Sequence, residues 1–134
     1  MFTNQNNIVD HSYFMNLALK QARKSLGNTK ENPSVGCIIT KNNQVISAGC
    51  TSIYGRPHAE QNALNHPKHN YSNSYLYVTL EPCSHYGKTP PCVDLIIKKK
   101  IKRVFFSMIY LSILQFCHDR MVLCDHYFLS QLIL

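Results

Sequence analysis

Short runs rich in β-branched and aromatic residues alternate along this chain with segments of helical periodicity, and that alternation most restricts the folds open to it. Within 12–26, the residues Met15, Ala18, Leu19, Ala22 and Leu26 recur at the three- and four-residue steps of one helical face. Asp10 or Ser12 can cap that helix, and Gly27 can end it. Residues 34–40 and 45–50 are apolar runs on either side of Lys41-Asn42-Asn43-Gln44, the pattern of a hairpin. A second helix is expected over 58–64, where Pro57 suits a helix entry. Residues 75–80 (YLYVTL) and 103–108 (RVFFSM) read as strands, with a helix over 92–100 between them whose lysines suit its C-terminal end. Strands joined by helical crossovers argue for parallel pairing in one sheet covered by helices, an α/β domain of three layers.

A chain of 134 residues is about one domain, with 45% hydrophobic and 16% charged residues excluding the disordered class. That size supports a core without a disulfide framework. The first ten residues lack the basic and apolar stretches of a signal peptide, which makes a reducing, cytoplasmic setting the default. The six cysteines therefore read first as metal ligands or nucleophiles. The net charge of +7 attracts nucleic acid, an anionic membrane or a phosphorylated metabolite alike. The run Lys98-Lys99-Lys100 with Lys102 and Arg103 is the solvated end of a helix sooner than a nucleic-acid patch. Residues 1–103 carry nearly all the basic groups, whereas 104–134 hold Arg120 against Asp119 and Asp125. No apolar run reaches the ~20 residues of a membrane span.

His58, Cys83 and Cys92 are a candidate ligand set for catalytic zinc, which takes three His or Cys ligands and keeps a fourth position for water. Glu60, two residues from His58 at a helix start, can reach that position without being a ligand and move a proton between water and a leaving amine. Cys37, Cys50, Cys117 and Cys124 read as small buried hydrophobes, and His11, His66, His69, His118 and His126 as solvated or hydrogen-bonded.

His58-Ala59-Glu60, then Pro82-Cys83, then a second cysteine has the general form of a zinc deaminase site. The fuller pattern runs Glu81-Pro82-Cys83-Ser84-His85-Tyr86-Gly87-Lys88-Thr89-Pro90-Pro91-Cys92, preceded by Asn32-Pro33-Ser34-Val35-Gly36-Cys37. It resembles the pyrimidine deaminase domain of bacterial riboflavin biosynthesis, over Met15 to about Met108. The resemblance implies a cytidine deaminase-like domain with a mixed sheet between helices, Zn2+ on His58, Cys83 and Cys92, and Glu60 as proton shuttle. It further implies that Asn32 and Lys88 touch the substrate, a diaminopyrimidinone ribosylamine 5′-phosphate whose ring 2-amino group leaves as ammonia. An Asn amide can read a pyrimidine edge or ribose, and a Lys ammonium can meet a phosphate.

Two departures stand out. Cys50-Thr51 occupies the place where the family usually has a substrate-contacting His. After Met108 the family continues with an Asp-Pro-Asn-Pro type loop, a glycine-rich stretch, a helix, a fifth strand and a reductase domain, and nothing similar follows here. The expectation is a deaminase domain over 1–108 and a divergent tail over 109–134, a frameshifted or truncated end without the reductase. The tail reads as a weak helix over 110–134, and loss of the family's fifth strand would leave the edge of the strand at Val104–Phe106 unpaired unless the tail covers it. A tRNA or nucleobase deaminase is the first alternative, disfavoured because such enzymes usually separate their cysteines by two residues and here eight intervene. An inactive zinc-binding fragment is the second. A homo-oligomer stays open.

Overall fold

Asn42 and Asn43 both take left-handed backbone conformations, at φ 52° and 61°, and so form the tight turn whose twist matches a hairpin. They join β1 (Gly36–Lys41) to β2 (Gln44–Cys50) in the computed structural model, which describes residues 8–107 and the backbone of 123–126. The remaining elements are α1 (His11–Lys24), α2 (Ala59–Leu64), β3 (Tyr75–Val78), α3 (Cys92–Lys98), β4 (Arg103–Phe106) and β5 (Leu123–His126). The strands form one five-stranded sheet in the order β2-β1-β3-β4-β5. β1 is antiparallel to both neighbours, while β3–β4 and β4–β5 are parallel. The sheet is thus mixed. The crossover through α2 does return the chain parallel to β2, but the hairpin partner β1 lies between them and takes the hydrogen bonds.

Alternation along the strands divides the core into two layers. Ile38, Tyr77 and Phe105 point to one face and pack with Phe14, Met15 and Ala18 of α1. Cys37, Ile39, Leu76, Val78, Val104 and Phe106 point to the other, against Ala59, Ala63 and Leu64 of α2 and Ile96 of α3. The three expected layers are present. Asp10 caps α1 by accepting from the Tyr13 N–H at 3.0 Å, and Arg23 and Lys24 occupy its last turn. One expectation fails at that end: α1 stops at Lys24, so Leu26 lies beyond the helix and is 71% exposed instead of joining its apolar face.

The tail also differs from expectation. Leu123–His126 is a strand, not helix, and pairs in parallel with β4 from Arg103↔Leu123 to Phe106↔His126. Val104–Phe106 is therefore bonded on both sides and is no open edge. The physical reason is that β4 offers a row of unpaired N–H and C=O groups, and a four-residue segment can satisfy them as strand but not as helix. The rest of the tail, with Cys117 and His118, lies outside the described residues.

The close seat of α2 on the sheet depends on Gly49. A Cβ built there would stand 2.5 Å from the carbonyl oxygen of Ala59 and 2.7 Å from the Ala63 nitrogen, both helix backbone. Gly49→Ala is therefore expected to push α2 outward and lower stability by about 1–3 kcal/mol, read as a fall of several degrees in Tm. Amide hydrogen exchange checks the tail: Val104–Phe106 should be protected in the full chain at successive positions, because parallel pairing on two sides uses N–H groups of both orientations.

Candidate metal and active site

The candidate site lies at the end of the sheet where β1 begins and β2 and β3 finish. There the chain enters α2 at His58, its extended N-cap residue, whose backbone N–H donates to Gln61 Oε1 at 3.0 Å. Asn62, one turn further on, ties the preceding loop down by donating from Nδ2 to the Cys50 carbonyl and to Ser52 Oγ, both at 2.8 Å. On the other side Cys83 sits in the loop after β3 and Cys92 opens α3. The Cys92 N–H donates to Cys83 Sγ at 3.2 Å and the Val93 N–H to the Cys83 carbonyl at 3.2 Å, which folds the loop ends together.

These contacts bring His58 Nδ1 to 3.7 Å from Cys83 Sγ and 3.5 Å from Cys92 Sγ, and all three ligand atoms lie within 4.8 Å of one another. Both thiols are free. A tetrahedral ion with bonds of about 2.3 Å to sulfur and about 2.05 Å to nitrogen sets those atoms about 3.5 Å apart. The spacing and the donor set, two sulfurs and one imidazole nitrogen, thus fit zinc.

Electrostatics at the site follow from burial and from the paired thiols. Glu60, 4% exposed, has its carboxyl pushed up to about 7, first by burial and then by the neighbouring Cys83. Cys83 is held well below the usual thiol range, chiefly by the hydrogen bond from Cys92, with His58 adding to it. Cys92 is pushed up by the same bond and by burial. His58 is raised mainly through its contact with Cys83, while the Arg56 guanidinium works the other way. The pair of thiols thus favours a thiolate at Cys83, and binding a cation would displace the protons that the ligand atoms still carry.

A cavity of about 260 Å³ opens beside His58 and Cys83, with Glu60 on its wall. Asn32 lines it as well; its Nδ2 donates to the Gly55 carbonyl at 3.3 Å, a close approach that needs Gly55, which has φ 91° and no Cβ. Lys88 is exposed on the loop between the cysteines and is not part of the cavity lining. Cys37 is buried in the core as expected, and His11 bonds to the Tyr77 hydroxyl at 2.8 Å.

Three further residues to which the sequence reading gave no role lie on the cavity wall: Thr51, Arg56 and Glu81. Thr51 is locked by donating to the Pro33 carbonyl at 3.1 Å and accepting the Val35 N–H at 2.9 Å. Glu81 is a buried carboxyl, 6% exposed. Its place directly before Pro82-Cys83 was the one available signal.

The family model for the cytidine and deoxycytidylate deaminase zinc-binding region matches residues 8–108. The chain is 49% identical over 96 residues to the riboflavin biosynthesis protein RibD of Bacillus amyloliquefaciens, covering 72% of this chain and 26% of that protein. It is 44% identical over 95 residues to the diaminohydroxyphosphoribosylamino-pyrimidine deaminase of Buchnera aphidicola, covering 71% and 65%. Among solved structures it resembles the diaminohydroxyphosphoribosylaminopyrimidine deaminase/5-amino-6-(5-phosphoribosylamino)uracil reductase of Thermotoga maritima, with a TM-score of 0.82 and 33% identity over 90% of this chain and 37% of that one. The chain spans about a quarter of the length of the first curated relatives it matches. A ligand set spaced for zinc, a buried carboxyl beside it and a matching region that contains both lead to one assignment: the chain belongs to the cytidine and deoxycytidylate deaminase zinc-binding family.

Proposed function

We propose that this chain is a zinc-dependent hydrolase that removes the ring 2-amino group of a diaminohydroxyphosphoribosylaminopyrimidine as ammonia, the deamination of riboflavin biosynthesis. The observation that carries the reading is the convergence of His58, Cys83 and Cys92 on one point, with buried Glu60 on the wall of the adjoining cavity. The names of relatives at 44–49% identity support the substrate class. The catalytic domain of this reading is residues 1–108, followed by a divergent tail over 109–134. A phosphorylated metabolite and free thiols go with a cytoplasmic setting, and no described helix is long and apolar enough to cross a membrane.

His58, Cys83 and Cys92 would hold zinc, which when bound supplies Lewis acidity at the amine-bearing carbon and activates water. The chain's own groups do the rest. Glu60 takes a proton from water and delivers it to the departing amine, a task suited to a carboxyl that burial has raised towards neutral pH. Asn32 holds the ring or ribose through its amide oxygen and the N–H that the Gly55 carbonyl leaves over. The apolar walls at Val35 and Leu80 exclude bulk water from the ring. Lys88, exposed nearby, adds to the positive field that draws the anion in.

Ammonia release from the phosphorylated pyrimidine, measured together with zinc content, tests the reading. Glu60→Gln should keep about one equivalent of zinc and turn over at least ~100-fold more slowly. Turnover close to that of the unaltered chain would remove Glu60 from its role. Cys92→Ser should lose most of the metal and, with it, thermal stability. Full zinc retention in that variant would dissolve the ligand assignment.

A further inference from the structure

Arg56 is the one arginine or lysine among the described residues lining the cavity. It directly precedes the Pro57-His58 step into α2, yet its side chain reaches across to the other half of the site. Nη1 donates to Thr89 Oγ1 at 2.9 Å, and a Cβ built on Gly87 would stand 3.4 Å from Nη2. The guanidinium therefore lies along the loop that joins Cys83 to Cys92. It is half-buried, whereas Glu60 and Glu81 are buried, so the cavity has an acidic floor and a cationic rim. Thr89, the hydrogen-bond partner of Arg56, is neutral. Of five N–H donors in a planar fork, one is used by Thr89.

We infer that Arg56 is the anion-binding residue of this cavity and takes a phosphate monoester carried on the substrate. The inference rests on the deaminase reading for the rest of the ligand, but not for the anion. The phosphate is joined to the ring through ribose, so a ring seated beside His58 and Glu60 leaves the anion towards the solvent side of the cavity, where half-buried Arg56 lies. Glu60, buried beside the ligand set, marks where the amine-bearing ring must sit, which leaves the anion for the half-buried guanidinium. The forked guanidinium, already immobilised on Thr89, loses less freedom on meeting phosphate oxygens than the flexible ammonium of exposed Lys88.

Calorimetric titration of ribose 5-phosphate into the zinc-loaded chain, alongside steady-state ammonia release, tests the assignment. Arg56→Gln should weaken ribose 5-phosphate binding about tenfold or more. It should raise KM for the phosphorylated pyrimidine by a similar factor, with kcat within about twofold and zinc content unchanged. Arg56→Lys keeps the charge without the fork and should recover part of the loss, which separates a missing anion contact from a misfolded chain. Undiminished binding in Arg56→Gln, or the tenfold loss appearing in Lys88→Gln instead, overturns the assignment. If the unaltered chain binds ribose 5-phosphate through Arg56 yet releases no ammonia from the pyrimidine, the anion site stands and the deaminase reading falls.

Discussion

An imidazole nitrogen held 3.7 and 3.5 Å from two sulfurs, with all three atoms within 4.8 Å of one another, is the constraint that the surrounding structure serves. Their residues are far apart along the chain and come together because α2 and α3 both begin at the same end of the sheet and pack on the same face. That arrangement needs several conditions at once. The Asn42-Asn43 turn sets the hairpin, Gly49 lets α2 lie against β2, and parallel pairing of β3 with β4 puts the loop before α3 beside the start of α2. A small shift in any of these elements opens the ligand triangle. Such a shift would cost more at the site than in the core, since metal bonds tolerate only about 0.2 Å.

Charge is graded through the cavity in a way that suits its proposed chemistry. On the floor, burial pushes the Glu60 carboxyl up to about 7, so it keeps a proton available near neutral pH. The rim holds the partly solvated guanidinium of Arg56. The same desolvation that would be a liability for an isolated surface carboxylate makes a proton carrier of one beside a cation site. The overall excess of basic residues then acts at longer range, drawing anions of any kind towards a site whose walls select among them.

The ligand residues were legible in the chain because chemistry of this kind is restrictive. Few side chains bind zinc, and His58, Glu60, Cys83 and Cys92 occur in an order and spacing that a helix start and a strand end can use. Arg56, Thr51 and Glu81 carried no comparable mark: an arginine before a proline or a threonine after a strand is common, and nothing local tells which wall it will face. Leu26 was misplaced because periodicity persisted two residues past the point where backbone hydrogen bonding stops. The strand at Leu123–His126 left no signature either, since four residues without Gly or Pro are too short to distinguish strand from helix by period.

By itself, the sequence determined the layered α/β class, through alternating periods that admit few packings, and it determined the identity of the metal donors, through side-chain chemistry that has no substitute. Only the tertiary structure decided that β1 separates β2 from β3, that a tail segment closes the edge of β4, and that Arg56 instead of Lys88 lines the cavity. Those outcomes depend on which unpaired backbone groups find partners and on which side chains a packed helix leaves room for. Both are settled between segments distant in the chain, where no local pattern records them.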